Sequence, residues 1–355
     1  MSKDICPPKK IYTSTRDWLS TISKEPFFND TFYKIIYPAS PFSMRIKHPP
    51  AKYPKFIEGG SVTVIPNGRV WGLNGAIITP DNNLIWDVSL EFVNPQTEHS
   101  IFKEQQLPPI TNHYKEIADL THIAGSNYYH WMYEVIPRLY LLNQSNIKIN
   151  QFILNFDPYD LPFQKETLYL LGIKKDQINM THRGFHIQAE RLVVPSQPSY
   201  ATKWAYDFLR KTFLNEAHMK RHGRTKIYIS RKNSRKIINE DELFQVLSKY
   251  GFIKIELETL PVVEQVQLFS SAEVIIAPHG AGLTNLTFCR PGTKVLEIFS
   301  PTYITSLYWV ISSFGNLKHE YFIGQGSSGQ TAWNGLDNIK INMSRIMPML
   351  KKMGL

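Results

Sequence analysis

Apolar and polar positions follow one another with a different rhythm in different parts of the chain. From Ser61 onward, short apolar runs are separated by turn residues, as in Val62–Ile65 before Pro66-Asn67-Gly68 and in Ala76–Ile78 before Pro80-Asp81-Asn82. Asparagine and glycine tolerate the positive φ that tight hairpins need. This part of the sequence therefore predicts an antiparallel meander.

Beyond Thr121 the pattern changes to helices that alternate with short β-branched strands. A first block comprises helix Tyr128–Leu142, strand Phe152–Leu154, helix Pro162–Leu171, strand Leu192–Val194 and helix Thr202–Ala217. A second block comprises strand Lys226–Ile229, helix Glu240–Tyr250 with Asn239 as its N-cap, strand Ile253–Glu256, helix Val262–Ser270, strand Val274–Ala277, helix Leu283–Phe288, strand Val295–Ile298, helix Ile304–Ser313 and strand His319–Phe322. Such an alternation is typical of an α/β fold with a doubly wound parallel sheet.

Length points to two domains, because a single core stops growing at roughly 250–300 residues and this chain has 355. We predict an irregular, proline-rich segment at 1–60 that packs on the first domain, and a first domain at 61–205. A second domain is predicted at 206–325. The tail at 326–355 carries a helix, Ser344–Lys352, that we expect to return to the first domain.

Composition is that of a globular protein, with 43% hydrophobic and 20% charged residues. The sequence has no long uncharged apolar stretch and no apolar leader, so it predicts neither a membrane span nor a signal peptide. Its two cysteines, Cys6 and Cys289, form no disulfide framework. These features predict a cytoplasmic protein.

The net charge of +10 is concentrated between Lys203 and Lys236, where eleven Lys and Arg face only Asp207 and Glu216. Such a segment attracts anions. The charge fits four kinds of anionic partner: nucleic acid, anionic lipid headgroups, a nucleotide diphosphate and an acidic polysaccharide. A basic helix face that is simply solvated explains these residues as well.

The strongest local motif is Val274–Asn285, which reads as a buried strand, a turn containing Gly280 and Gly282, and the start of a helix. Ligands bind at the carboxyl ends of strands in open parallel sheets. Glycines let the backbone approach an anion, and the N–H groups at a helix start favour phosphate. The motif predicts a diphosphate site, although a tight turn also explains the glycines, and a structural role also explains His279.

Arg231 and Lys232 directly follow strand Lys226–Ile229, and hence lie on the same rim of the sheet as the glycine turn. A guanidinium makes paired hydrogen bonds to phosphate oxygens. We predict that Arg231 clamps phosphate and that Arg235 and Lys236 are solvated charges.

Glu297 ends the next predicted strand. A carboxylate at that position could accept hydrogen bonds from ribose hydroxyls. An ion pair with Lys294 or Arg290 explains the residue equally well.

In the first domain, His130 and Glu134 lie four residues apart and hence on one helix face. They could form a general base with its orienting partner, two metal ligands, or a structural core pair. A metal would need a third ligand that the sequence does not indicate. The chain contains no Asp-x-Asp pair for a nucleotide-bound cation, and no P-loop or hydrolase motif.

Taken in order, several stretches of the chain resemble glycosyltransferase family 61. They are Asn127–Leu139, Ile229-Ser230-Arg231, Leu260–Gln265, Phe269–Asn285 and Val295–Glu297. The resemblance covers about residues 60 to 325.

The resemblance implies a GT-B architecture, in which two Rossmann-like domains face a cleft, and an inverting, metal-independent transfer from a nucleotide-sugar, with UDP-sugars favoured. It implies that the second domain binds the donor and that His130 and Glu134 face the acceptor. The implied donor-binding residues are Ser230, Arg231, Lys232, Glu264, His279, Gly280, Ala281, Gly282, Leu283, Thr284, Asn285 and Glu297.

Without a signal anchor or disulfides, the chain is similar to bacterial members associated with capsule and surface polysaccharides. The expected partners are a nucleotide-sugar donor and a glycan or lipid-linked oligosaccharide acceptor, at the inner face of the membrane if the acceptor is lipid-linked. Neither a metal cofactor nor nucleic acid is expected.

In the predicted reaction, an acceptor hydroxyl deprotonated by Glu134 or His130 displaces the nucleoside diphosphate. Other acids of the first domain are further candidates for the base, namely Glu58, Asp87, Glu116 and Asp119. Two alternatives stay open: sugar-nucleotide epimerisation or hydrolysis on the same fold, and non-catalytic binding of polyanions.

Overall fold

The computed structural model describes residues 6–22, 32–44, 47–155, 161–214, 224–327 and 335–355. The chain forms two compact units: unit 1 combines 1–40 with 57–202, and unit 2 combines 41–56 with 203–355. Segment 41–56 thus belongs to unit 2, whereas we predicted that it packs on the first domain. Among the described residues, no helix has both the length and the apolarity needed to cross a membrane.

Unit 1 is built on a large mixed sheet. Its strands are β1 (Ile11–Tyr12), β2 (Tyr33–Tyr37), β5 (Gly60–Trp71), β6 (Ala76–Ile78), β7 (Leu84–Ile85), β8 (Asn112–Asp119), β9 (Phe152–Leu154), β10 (Ile178–Met180) and β11 (His186–Pro195), and the short strands β3 (Ser40–Pro41) and β4 (Phe56–Ile57) lie where the chain passes between the units. Their order is β1-β7-β6-β5-β11-β8-β9-β10, and β2 also pairs with β5. Strands β5 to β7 form the predicted antiparallel part, whereas β8 to β11 pair in parallel.

The predicted hairpin at Pro66-Asn67-Gly68 is wrong. β5 continues through these residues and pairs with β11 on both sides of them, from Trp71 opposite His186 to Val62 opposite Pro195. Asn67 does have a positive φ of 52°. The long partner strand keeps the chain extended, so the turn residue only distorts the strand locally.

The helices of unit 1 are α1 (Thr15–Ile22), α2 (Tyr128–His130), α3 (Pro137–Gln144) and α4 (Pro162–Leu170), with 3₁₀ turns at Trp86–Val88, Gln96–Glu98, Ser100–Lys103 and Lys175–Gln177. A π-helical turn, Trp131–Val135, joins α2 to α3. The predicted helix from Tyr128 is confirmed, but it is wider at this turn, and π turns frequently occur at functional sites. The N-terminal segment is less irregular than predicted, since α1 buries Trp18 in the core.

Unit 2 contains a parallel five-stranded sheet. Its strands are β12 (Thr225–Ile229), β13 (Phe252–Ile255), β14 (Ala272–Pro278), β15 (Lys294–Phe299) and β16 (Lys318–Ile323), and β17 (Gln325–Gly326) pairs with β18 (Ile339–Lys340). Its helices are α5 (Lys203–Phe213), α6 (Glu240–Lys249), α7 (Val262–Ser271), α8 (Leu307–Gly315) and α9 (Met343–Lys352), with 3₁₀ helices at Leu257–Thr259 and Ala281–Phe288. The doubly wound pattern predicted for this part is confirmed, although the helix after β14 is 3₁₀, and the end of the predicted helix Thr202–Ala217 lies outside the described residues.

Strand order places the site of unit 2. The sheet runs β13-β12-β14-β15-β16, so the chain moves one way from β12 to β13 and the other way from β14 onward. Ligands of open α/β sheets bind in the crevice at such a switch point. Here the loops that follow β12 and β14 flank it.

The C-terminal tail packs on unit 2, and the prediction that it returns to the first domain is wrong. Ile346 and Leu350 of α9 share a core with Tyr228 of β12. Asn239 is the N-cap residue of α6, as predicted, but its side chain makes no cap hydrogen bond. It binds both backbone groups of Ile341 instead, each at 2.9 Å. Apolar spacing alone indicated that the tail helix is amphipathic and left its partner undetermined.

Candidate functional site

Arg231 and Gly280 meet at the switch point of unit 2. Arg231 follows β12, and Gly280 follows β14, the neighbouring strand. A Cβ built on Gly280 would lie 1.5 Å from Arg231 Nη1, so only a residue without a side chain leaves room for the guanidinium there. The same rim was predicted for both residues, and the structure brings them into contact.

The guanidinium of Arg231 is held on one side only. Its Nε donates to the Ser234 carbonyl at 2.9 Å, while Nη1 makes no hydrogen bond within the described residues. Burial, and next the charge of Arg235, lower the pKa of Arg231 below its usual range. The adjoining cavity, lined also by Leu257 and Gly282, has a volume of about 10 Å³. That is room for one water, so a larger anion would have to displace the guanidinium from Gly280.

Arg235 is a second cation at the same loop, and the prediction that it is solvated is wrong. Its Nε donates to the His279 carbonyl at 3.0 Å, and its guanidinium also binds the Gly335 carbonyl. The group lies 5.2 Å from the ring centre of Tyr303. A positive φ of 53° turns this residue back toward the loop, a conformation that the sequence does not reveal.

His279 and Glu297 form a buried network behind the glycine turn. His279 Nδ1 lies 2.5 Å from one Glu297 oxygen, and the other oxygen accepts from Trp309 Nε1 at 2.9 Å. Burial raises the pKa of Glu297 well above its ordinary value and lowers that of His279 well below. Burial thus disfavours the charged form of both side chains.

Glu297 does not take either predicted role. Its side chain is 1% exposed, so it reaches neither a ribose hydroxyl at the surface nor Lys294 or Arg290. His279 is also buried, whereas Ala281 and Gly282 of the same loop are half-buried. Both side chains support the loop from its buried side.

The rest of the predicted donor residues divide into buried and exposed groups. Asn285 is buried and donates to Gln265 at 2.7 Å. The Thr284 hydroxyl is buried without a hydrogen-bond partner in the described part of the chain. Lys232 is exposed and pairs with Glu256 at 2.6 Å. The remaining three are Ser230 and Leu283, which are buried, and Glu264, which is exposed on α7.

Unit 1 carries a second cluster, made of two histidines around one carboxylate. Glu134 lies on the π turn, where one oxygen contacts His130 Nδ1 at 2.5 Å and His122 Nε2 at 2.9 Å. The side chain of Glu134 is 4% exposed and that of His130 is 28% exposed. The predicted pair is thus in contact, and His130 is the member that reaches solvent.

Sequence reasoning missed His122. It follows strand β8 by three residues, a strand-end position like those of Arg231 and His279, and that position was the available signal. Its Nδ1 accepts from the Ala124 N–H at 3.1 Å, so its proton is on Nε2 and points to Glu134.

Hydrogen bonding orients the imidazole of His130 in this cluster. Burial tends to raise the pKa of Glu134, but the hydrogen bonds from His122 and His130 outweigh it and lower that pKa below its ordinary value. Glu134 is therefore ionised and accepts from Nδ1–H of His130. The lone pair of the partly exposed imidazole is then on Nε2, the atom available to take a proton.

The same three side chains are spaced closely enough to surround a cation, with ligand atoms within 4.8 Å of one another. A metal-bound histidine normally donates its other ring N–H to an acceptor. In His122 the other nitrogen accepts a backbone N–H instead. The donor and acceptor pattern therefore fits a proton network better than a metal centre.

A buried ion pair fixes this cluster in place. Arg138, on the helix that follows the π turn, donates to the Thr121 carbonyl at 2.9 Å and lies 3.3 Å from Asp119. Asp119 is completely buried, and burial raises its pKa to about 6 in spite of Arg138. Because Asp119 has no exposed surface, it is a poor candidate base, and Glu116 is occupied by an ion pair with Arg191 at 2.7 Å.

Several charges of the basic segment 203–236 are already paired. Arg210 donates to the Thr287 and Cys289 carbonyls at 2.6 and 2.9 Å, and Lys203 binds Asp207. The part at 215–223 lies outside the described residues. Hence the described part of the segment does not form a continuous row of free cations.

Comparison with known proteins agrees with the motifs. Residues 128–296 match the family model Glycosyltransferase 61. The EGF domain-specific O-linked N-acetylglucosamine transferase of Drosophila melanogaster is 34% identical over 77 residues, which is 21% of this chain and 15% of that protein. The Beta-1,2-xylosyltransferase RCN11 of Oryza sativa subsp. japonica is 38% identical over 78 residues, again 21% and 15%. Each match thus spans about a seventh of the relative's length.

Proposed function

We propose that this chain, whose residues 128–296 match the family model Glycosyltransferase 61, is a member of that family and transfers a sugar from a nucleotide-sugar to a glycan hydroxyl. The observation that carries the proposal is the contact between Arg231 and Gly280 at the switch point of unit 2. A UDP-sugar is the favoured donor, and the GT-B arrangement is part of the proposal.

The donor's diphosphate binds between Arg231 and the backbone at Ala281-Gly282. Arg231 has an unused Nη1, and it exchanges the contact with Gly280 for paired hydrogen bonds to phosphate. Arg235 adds a second positive charge behind the loop. Both cations stabilise charge that develops on the leaving diphosphate, which lowers the barrier to its departure.

In the chemical step, the acceptor hydroxyl gives its proton to His130 Nε2 while its oxygen bonds to the anomeric carbon. The bond between that carbon and the phosphate oxygen breaks, and the nucleoside diphosphate leaves with the electron pair. Glu134 stabilises the imidazolium that forms, since it contacts Nδ1 at 2.5 Å. Attack on the face opposite the leaving group inverts the anomeric configuration, and no cation takes part.

For the acceptor, we propose only its chemical class, a glycan. Both relatives are eukaryotic proteins whose names describe transfer of N-acetylglucosamine or xylose. A bacterial surface polysaccharide as the product, and a cytoplasmic site of action, stay predictions from the sequence. Product analysis without an acceptor distinguishes transfer from epimerisation or hydrolysis of the donor.

Calorimetric titration with UDP, GDP, CMP and dTDP in EDTA tests the donor site. We expect one nucleotide to bind the wild type and an Arg290→Ala control, whose arginine is exposed on the same unit, and Arg231→Ala to bind it at least about tenfold more weakly. Binding by none of them, or equal binding by Arg231→Ala, would contradict the proposal. Binding that needs an added cation would overturn metal independence alone.

A further inference from the structure

Unit 1 contains a cavity that the chemistry above does not use. Its volume is about 520 Å³, within the range of small-molecule sites. It lies against β2, β5 and the end of β11, and the 3₁₀ turn Trp86–Val88 forms another wall. All of its lining residues belong to unit 1.

Three aromatic side chains line this cavity: Tyr33, Tyr37 and Trp86. Tyr33 accepts from Arg16 Nε at 3.1 Å, and the Tyr37 hydroxyl lies 3.1 Å from that of Tyr140. Both tyrosines are therefore fixed by hydrogen bonds. Rigid rings offer a large apolar contact surface at little cost in conformational entropy.

Polar groups are interspersed among these rings. Glu58 accepts from the Ser199 N–H at 2.7 Å. Asp87 is held in place by the backbone and hydroxyl of Thr15, each at 2.9 Å. The Ser196 hydroxyl accepts from the backbone N–H of Ser61, and its own proton remains available for a hydrogen bond to a ligand.

The chemistry of the lining matches a sugar. Each sugar hydroxyl both donates and accepts, and so pairs with fixed carboxylates and hydroxyls, while the C–H face of the ring packs on aromatic rings. The lining contains two acids, Glu58 and Asp87, and one base, Arg16. This balance disfavours an anionic ligand such as a uronic acid or a phosphate.

The cavity is next to the histidine cluster. Gln197, on its wall, donates to the Thr121 carbonyl at 2.9 Å, and the following residue is His122. Burial, and to a smaller extent the charge of Glu134, raise the pKa of Glu58. Charges in the cavity and at the base therefore influence each other.

We propose that this cavity is a binding subsite for a neutral sugar residue of the acceptor glycan. The inference rests on the proposed transfer reaction and adds where the acceptor is held. It places an uncharged saccharide on Trp86 and the two tyrosines, with its hydroxyls on Glu58 and Asp87, in a cavity whose wall residue Gln197 binds the carbonyl of Thr121.

Saturation-transfer NMR and calorimetry with xylobiose, chitobiose, lactose and mannobiose test the inference, with digalacturonic acid as the anionic probe. We expect at least one neutral disaccharide to bind and the anionic one not to. Trp86→Ala and Ser61→Trp, which fills the cavity from β5, each weaken that binding at least tenfold. Phe92→Ala, at a side chain 76% exposed, leaves it unchanged.

Nucleotide titration of the same samples separates the two proposals. If no neutral disaccharide binds, or if both cavity variants bind as the wild type does, the subsite is wrong while nucleotide binding that depends on Arg231 keeps the proposed function. If nucleotide binding is absent as well, the proposed function fails with it. Preferential binding of digalacturonic acid would also overturn the inference.

Discussion

At the scale of single residues, the missing side chain of Gly280 decides where Arg231 lies. The backbone there is extended, with φ of 175°, so alanine is compatible with it. A Cβ would nevertheless lie 1.5 Å from Arg231 Nη1. Glycine at position 280 is therefore needed because it lets the guanidinium lie close to the backbone, and not because the backbone adopts a conformation that only glycine allows.

Gly280→Ala should therefore separate binding from stability. We expect nucleotide affinity to fall about tenfold or more, because the guanidinium is pushed from its place. The free energy of unfolding should change by less than about 1 kcal/mol, since the mobile end of an arginine can yield. Gly184→Ala is the matched control, because its added Cβ meets nothing closer than 3.7 Å. Equal affinities of the two variants would contradict the account.

Glu134 should make the stability of the protein depend on pH. Its pKa is below the ordinary 4.5 because two histidines donate to it. A depressed carboxyl pKa contributes stability that is full above the unfolded value and is lost as pH falls through the folded value.

We accordingly expect Glu134→Gln to lower the free energy of unfolding by about 1–3 kcal/mol at pH 7. That difference from the wild type should shrink as the pH is lowered below about 4.5. Urea denaturation of both proteins across this range measures it. A difference that is constant with pH would show that Glu134 is not ionised in the folded state.

At the scale of elements, α3, which the π turn joins to His130, is tied to the segment that precedes His122. Arg138 makes this link, as it binds Asp119 and the carbonyls of Thr121 and Pro195 while being completely buried. Removal of one partner of a buried pair leaves an uncompensated charge.

Arg138→Met should cost about 3–5 kcal/mol of stability for that reason. The double variant Asp119→Leu/Arg138→Met should cost clearly less than the sum of the two single variants, since it leaves no unpaired charge. Chemical denaturation of the four proteins gives the coupling. Additive effects would mean that the pair does not act as a unit.

The C-terminal tail of unit 2 is held by two hydrogen bonds from the Asn239 side chain to Ile341. Asn239→Ala should lower the free energy of unfolding by about 1–2 kcal/mol, because both backbone groups of Ile341 lose their partner. Asn233→Ala, at an exposed position of the preceding loop, is the control. Equal urea midpoints of the two variants would show that the contact between Asn239 and Ile341 does not stabilise the protein.

Local sequence patterns were sufficient to predict most helices and strands, and also the residues at the carboxyl ends of the strands in unit 2. The strand from Lys226, the glycine turn and the position of Arg231 follow from short-range rules. The continuation of β5 through Asn67 does not, because a distant strand overrides the turn. Nor do the return of Arg235 to His279 and the burial of Glu297, since both depend on partners far along the chain.

At the scale of the whole molecule, the two chemical tasks lie in different units. Arg231 and the glycine turn belong to unit 2, whereas His130, Glu134 and the cavity belong to unit 1. Because each set of residues belongs to its own compact unit, we expect variants of the unit 1 cluster to leave nucleotide binding by unit 2 intact. Variants of the unit 1 cluster should therefore lose turnover while they keep donor binding.

The most direct test is release of nucleoside diphosphate from a sugar nucleotide in the presence of an acceptor, measured together with nucleotide affinity. We predict that His130→Ala binds nucleotide as the wild type does but turns over at least about a hundredfold more slowly. Arg231→Ala should lose affinity as well as turnover. Full turnover by His130→Ala, or nucleotide affinity that is unaffected by Arg231→Ala, would contradict the central claim.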